Sequence, residues 1–262
     1  DRLRQALGLA AGTPLVLYHG ALVPGRGLAE LAAAMGQPGL EAAHLVYLGW
    51  GTSEPEVAAL VAAPATAGRL HHLPPVPPDE LLPWVASADV VAVTIQPDTL
   101  NHRLSTPNKL WEALAAGVPV LASDFPAMRH IVLDDPAGPL GAVCDPTDPR
   151  AIAAALAGLL ARPPAERDAL RARCHQAATE RWNWETEGGR LLALYDDLLR
   201  DATRSTGDEV TAGAAAGTGR QRATFLLPGT GSHDSRTRRI AAGLAGRGHA
   251  VTVIASSMAG AG

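Results

Sequence analysis

Aromatic side chains are scarce in this chain of 262 residues, at 4%. A core built on stacked rings is therefore excluded, and alanine, leucine and valine must fill the interior. Cysteine is scarcer still, with only Cys144 and Cys174. They have no close-spaced partner, which argues against a thiolate metal site or a disulfide framework, and they read as reduced structural thiols. No apolar run reaches the roughly 18 residues of a membrane-spanning helix. No signal-peptide pattern is read either, so a cytoplasmic protein is expected. Positive charge is not in excess: the net charge is −4, which does not suggest a nucleic-acid partner. The chain also lacks G-x-S-x-G, the turn that presents a hydrolase serine, and G-x-G-x-x-G, the dinucleotide fingerprint.

What is present is a globular composition, with 47% hydrophobic and 18% charged residues. Short apolar runs alternate with helical patterns. Strands are read at residues 14–19, 44–49, 69–73, 88–95, 118–122 and 141–145. The run at 88–95 shows no alternation, as expected for a strand covered on both faces. Helices are read between them, and residues 96–105 read as a loop. The fold class expected is α/β, a Rossmann-like doubly wound parallel sheet with a short β-α-β unit at its C-terminal side.

The richest stretch is residues 104–123. Thr106 suits a helix N-cap and Pro107 its first position. Leu110, Ala113, Leu114 and Gly117 form an apolar stripe, and Gly117 suits a left-handed helix end. Asn108, Lys109 and Glu112 share the other face. Helix starts offer free N–H groups and partial positive charge, which suit a phosphate. Glu112 lies about 7.5 Å along the axis beyond Pro107, at about 1.5 Å per residue. That is about the span from a diphosphate to its ribose, whose hydroxyls a carboxylate can accept.

Asn101, the run Ser105-Thr106-Pro107-Asn108-Lys109-Leu110-Trp111-Glu112, the run Ala115-Ala116-Gly117-Val118-Pro119-Val120 and Ser123-Asp124-Phe125-Pro126 carry a resemblance. Together they resemble the C-terminal, nucleotide-sugar-binding domain of family 4 retaining glycosyltransferases of the GT-B fold. The resemblance implies that Glu112 holds the donor ribose and that Ser105, Thr106 and Pro107 face the diphosphate. The family's usual second glutamate, eight positions earlier, is Leu104 here. A bacterial subgroup with proline, asparagine and lysine has the same form, and it often places asparagine at the position of Asn101.

Residues 20–27 (GALVPGRG) form a glycine-rich turn between a strand and a helix. The resemblance sets Gly20 and Ala21 beside the diphosphate and puts Arg26 against it. An arginine fork can grip two phosphate oxygens. Read alone, the same turn is a tight βα connection with a surface arginine. Pro75 and Val76 fall where the family lines the base. His71 and His72 are adjacent on a strand and would point to opposite faces, so no metal site is read there. His102 reads as a solvated loop residue.

The function implied is transfer of a sugar from a nucleotide diphosphate sugar to an acceptor with retained configuration. Arg26 and Lys109 would stabilise the departing charge, and Glu112 would orient the nucleotide. No cofactor and no metal are expected. The acceptor would be a glycan, a lipid-linked or a small molecule, and its binding would need a GT-B N-terminal domain. The location the resemblance implies is cytoplasmic, with peripheral placement at the inner membrane face as a variant of it. The alternative is a non-catalytic nucleotide-binding or regulatory module of a tandem transferase. A same-fold epimerase is a further reading. A glycosidase pair of Asp98 with Glu112 is disfavoured, and the surface reading of Glu112 is an exposed pair with Lys109.

Residues 201–221 are small and polar without a period, and read as a flexible linker. Residues 222–262 read as strand, turn, helix and strand, resembling the opening of a GT-B N-terminal domain. Residues 1–200 would then form the donor domain. Because a GT-B enzyme runs N-domain before C-domain, this order suggests a piece of a tandem polypeptide.

Overall fold

A computed structural model describes residues 1–66, 68–205, 222–227, 235–246 and 248–255. The chain divides into two compact units, Asp1–Arg181 and Trp182–Gly262. Elements of the first alternate between helix and strand. They are α1 (Arg2–Leu7), β1 (Leu15–His19), α2 (Leu28–Ala34), β2 (His44–Leu48), α3 (Glu54–Ala62), β3 (Leu70–Leu73), α4 (Leu81–Val85) and β4 (Val90–Val93). Then follow α5 (Leu100–Leu104), α6 (Asn108–Ala115), β5 (Val120–Ser123), α7 (Pro126–Leu133), β6 (Gly141–Cys144), α8 (Pro149–Leu160) and α9 (Pro164–Glu180).

The six strands form one parallel sheet in the order β3-β2-β1-β4-β5-β6. Every residue of β1, β4 and β5 is buried, because a parallel sheet is covered on both faces. The α/β expectation holds. Sheet growth reverses between β1 and β4. In open sheets of this kind, ligands bind outside the carboxyl ends of the strands at such a switch.

The central helix differs in detail from its reading in the sequence. Helix α6 starts at Asn108, with Pro107 as an extended N-cap residue, and no side chain caps it. Thr106 is therefore not the cap. Its C-terminal end is as expected: Gly117 has φ 67°, and Val118 N–H returns to the Ala113 carbonyl at 2.8 Å. Only glycine takes that conformation without strain. Leu110, Ala113 and Leu114 are fully buried, which fixes the helix by its apolar stripe. The loop expected at 96–105 contains α5, whose N-cap Thr99 accepts from the His102 N–H at 3.1 Å.

Cys144 and Cys174 are free and buried. Burial pushes each thiol up to about 12, and Cys174 Sγ donates to the Leu140 carbonyl at 3.3 Å.

The second unit holds α10 (Trp184–Ser205), β7 (Arg222–Leu227), α11 (Ser235–Gly246) and β8 (Ala250–Ala255). Strands β7 and β8 pair in parallel, so this stretch is a β-α-β unit. Helix α10 runs five residues into the segment read as a linker, and residues 206–221 lie outside the described residues. The turn expected at 228–233 lies outside them as well.

Candidate functional site

A cleft of about 390 Å³ opens at the carboxyl end of the sheet. His19 at the end of β1 and Gly20 and Ala21 just after it line the cleft. Trp50, Pro75 and Val76 come from the segments after β2 and β3. Asn108, Lys109 and Glu112 come from the first turns of α6. Seven residues singled out in the sequence thus meet one another here, across nearly a hundred positions: Gly20, Ala21, Pro75, Val76, Asn108, Lys109 and Glu112.

Lys109 leaves the helix face toward β1 rather than toward solvent. Its Nζ stands 3.7 Å from the centroid of the Tyr18 ring. Tyr18 is 1% exposed, and its hydroxyl donates to the Ala21 carbonyl at 2.7 Å, so the ring is a fixed platform. A cation over such a desolvated ring gains on the order of 1–2 kcal/mol. Burial pushes Lys109 down to about 7, and the charge of Arg26 acts in the same direction while Glu112 opposes both. Arg26 thus stands close enough to act on Lys109, and it makes no ion pair among the described residues. Two cations that Glu112 offsets only in part form an anion-attracting corner.

Glu112 does not pair with Lys109, so the exposed-pair reading of these two residues does not describe the structure. Its Oε2 lies 3.5 Å from His19 Nδ1 instead. Burial raises the Glu112 carboxyl, and Lys109 draws it back. Burial pushes His19 down to about 3, aided by the charge of Lys109 and offset by a backbone contact at Lys109. His19 is therefore a neutral imidazole. Sequence reasoning missed His19, Tyr18 and Trp50. The first two close an otherwise apolar strand, LVLYH, and read as core.

The other candidates fall elsewhere. Asn101 is exposed on α5, while Ser105, Thr106 and Pro107 are half-buried in the extended approach to α6. Leu104 is 60% exposed and borders a second hollow, beside Phe125 and Asp145. The extended residues between the helices carry it away from Glu112. His71 bonds His44 at 2.8 Å between ring nitrogens, while His72 turns to the Gly49 carbonyl at 3.0 Å. His102 Nδ1 lies 4.0 Å from Asp98 Oδ2. Among the described residues, no group of three or more His, Cys, Asp or Glu side chains is placed to hold a metal ion.

The family model of the group 1 glycosyl transferases matches residues 13–162. The chain belongs to this glycosyltransferase family. It is 34% identical over 200 residues to a D-inositol 3-phosphate glycosyltransferase of Xylanimonas cellulosilytica, covering 74% of this chain and 44% of that one. It is 30% identical over 198 residues to a GDP-mannose-dependent alpha-(1-6)-phosphatidylinositol monomannoside mannosyltransferase of Mycolicibacterium smegmatis, covering 74% and 50%. Among solved structures, sucrose-phosphate synthase from Thermosynechococcus elongatus superposes with a TM-score of 0.59 at 26% identity, covering 76% of this chain and 48% of the other. The chain thus spans about half the length of the curated relatives it matches. No described helix is long and apolar enough to cross a membrane.

Proposed function

We propose that the cleft binds a nucleotide diphosphate sugar and that the complete protein transfers its sugar to an acceptor with retention of configuration. The observation that carries this reading is the convergence of Arg26, Lys109 and Glu112 around the start of α6. Two cations, neither in an ion pair among the described residues, act beside a partly shielded carboxylate. Lys109 and Arg26 receive the diphosphate, helped by the free N–H groups at the helix start. Glu112 accepts from the ribose hydroxyls, and the segment holding Pro75 and Val76 borders the base.

In the reaction, the bond between the anomeric carbon and the diphosphate oxygen breaks. A bond from the acceptor oxygen to the same carbon forms, and the acceptor proton balances the charge on the departing diphosphate. Arg26 and Lys109 stabilise that charge as it develops, and the reaction needs no resident metal. Acceptor binding falls to a partner N-terminal domain. Asn101, Ser105, Thr106 and Pro107 remain donor-side candidates through the path that leads into α6. The names of both relatives contain inositol, which makes an inositol phosphate the first acceptor to try. A second reading, a nucleotide-binding module without turnover, draws on Leu104, which puts an apolar side chain where the family usually has a glutamate.

Incubation of the full-length polypeptide with UDP-glucose or GDP-mannose and inositol 3-phosphate tests this. An α-linked product from an α-linked donor, identified by NMR, is expected. Nucleotide binding without any transfer across a panel of donors and acceptors would favour the module, and a β-linked product would overturn retention.

A further inference from the structure

His19 occupies an unusual place for a polar side chain. It ends β1, where Leu15, Val16 and Leu17 are fully buried, and is itself 2% exposed. Its Nε2 is buried without a hydrogen-bond partner. Leaving a buried polar atom unmet is costly, and such an atom calls for an explanation. The other ring nitrogen supplies one, because Nδ1 faces Glu112 Oε2 at 3.5 Å. A neutral imidazole carries one proton. Placed on Nδ1, that proton sits on the nitrogen 3.5 Å from the carboxylate, and the bare Nε2 lone pair is the cost.

We infer that His19 is a positioning residue that holds one carboxylate oxygen of Glu112, so that the other is presented to the cleft. This inference rests on the reading of Glu112 as a donor ligand. The geometry gives the imidazole a second effect. Lys109 and Glu112 are three apart on α6, a spacing at which opposite charges ordinarily pair. Here they do not: Lys109 sits over Tyr18 and Glu112 turns to His19. The imidazole draws Glu112 off Lys109, leaving the ammonium without an ion pair and open to a diphosphate, and one carboxylate oxygen free for hydroxyl groups.

A double-mutant cycle on the 262-residue chain tests the inference, with UDP and GDP as probes in calorimetric titration. His19→Leu keeps an apolar group of similar bulk at the buried site and removes the donor. His19→Asn keeps an N–H near the position of Nδ1. We expect His19→Leu to weaken binding of the preferred nucleotide about tenfold and His19→Asn to recover most of it. In a Glu112→Ala background, His19→Leu should change affinity less than twofold. Equal losses in both backgrounds, or equal losses for Leu and Asn, would overturn the positioning role and leave Glu112 as a ligand. Unchanged affinity in Glu112→Ala alone would instead remove the donor reading, and the inference with it. Far-ultraviolet circular dichroism of each variant separates loss of fold from loss of binding.

Discussion

Lys109 holds its ammonium 3.7 Å above the centre of the Tyr18 ring. The contact joins the last turn of a buried strand to the first turn of a helix some ninety residues later. It also takes a lysine that sequence spacing puts on an exposed face and shields it from water. An ammonium held this way has lost hydration and is offset only in part by Glu112. It is ready for an anion, and its protonation is sensitive to pH near neutrality.

Nucleotide binding should therefore take up protons. Burial pushes Lys109 down to about 7, and a bound diphosphate raises that value by favouring the charged form. Affinity should fall as pH rises above about 7, by up to tenfold per unit until the bound-state value is reached. Titrations at pH 7.5 in buffers of different ionisation enthalpy measure the uptake directly. Release of protons, or none, would contradict the charge assigned to Lys109.

The same lysine should weaken the empty protein. Its native value lies below the ordinary lysine value of about 10.4, so the unfolded chain binds more protons between about 7 and 10. Stability from this group rises with pH across that window, and the penalty is present in full below about 7. Lys109→Met should melt at a higher temperature than the wild type at pH 6, with the gap narrowing toward pH 10, while losing nucleotide affinity. Thermal melts across that range check the sign.

Gly27 offers a backbone test. Its φ is 70°, and a Cβ there would run into the Thr94 carbonyl oxygen and crowd the Gln96 side chain. Gly27→Ala should destabilise the first unit by more than about 1 kcal/mol and displace the Arg26 turn. Denaturant unfolding measures the first effect, and nucleotide titration the second.

Much of the fold was legible because its signals are local. The apolar runs of β1, β4 and β5 gave a buried parallel sheet, and the stripe Leu110, Ala113 and Leu114 gave α6. Gly117 gave its end. Helix α5 was hidden because it is only five residues long, and its sequence, LNHRL, shows no period. The start of α6 was misplaced by a residue because a Thr-Pro pair satisfies capping rules without forming the cap. Within the site, Lys109, Glu112 and Arg26 were named from motif and resemblance. His19 and Tyr18 were not, because they act across strand and helix, and no spacing within one segment reveals that. Leu104 shows the reverse case: eight residues from Glu112 in sequence, it borders a different hollow.

The central claim is that Glu112 binds the donor nucleotide. Calorimetric titration of the wild type and Glu112→Ala with UDP and GDP tests it most directly. Loss of a hydrogen bond to a charged group should weaken the preferred nucleotide by about 1.5–3 kcal/mol, roughly ten- to a hundredfold. Equal affinities of the two proteins for both nucleotides would contradict the account.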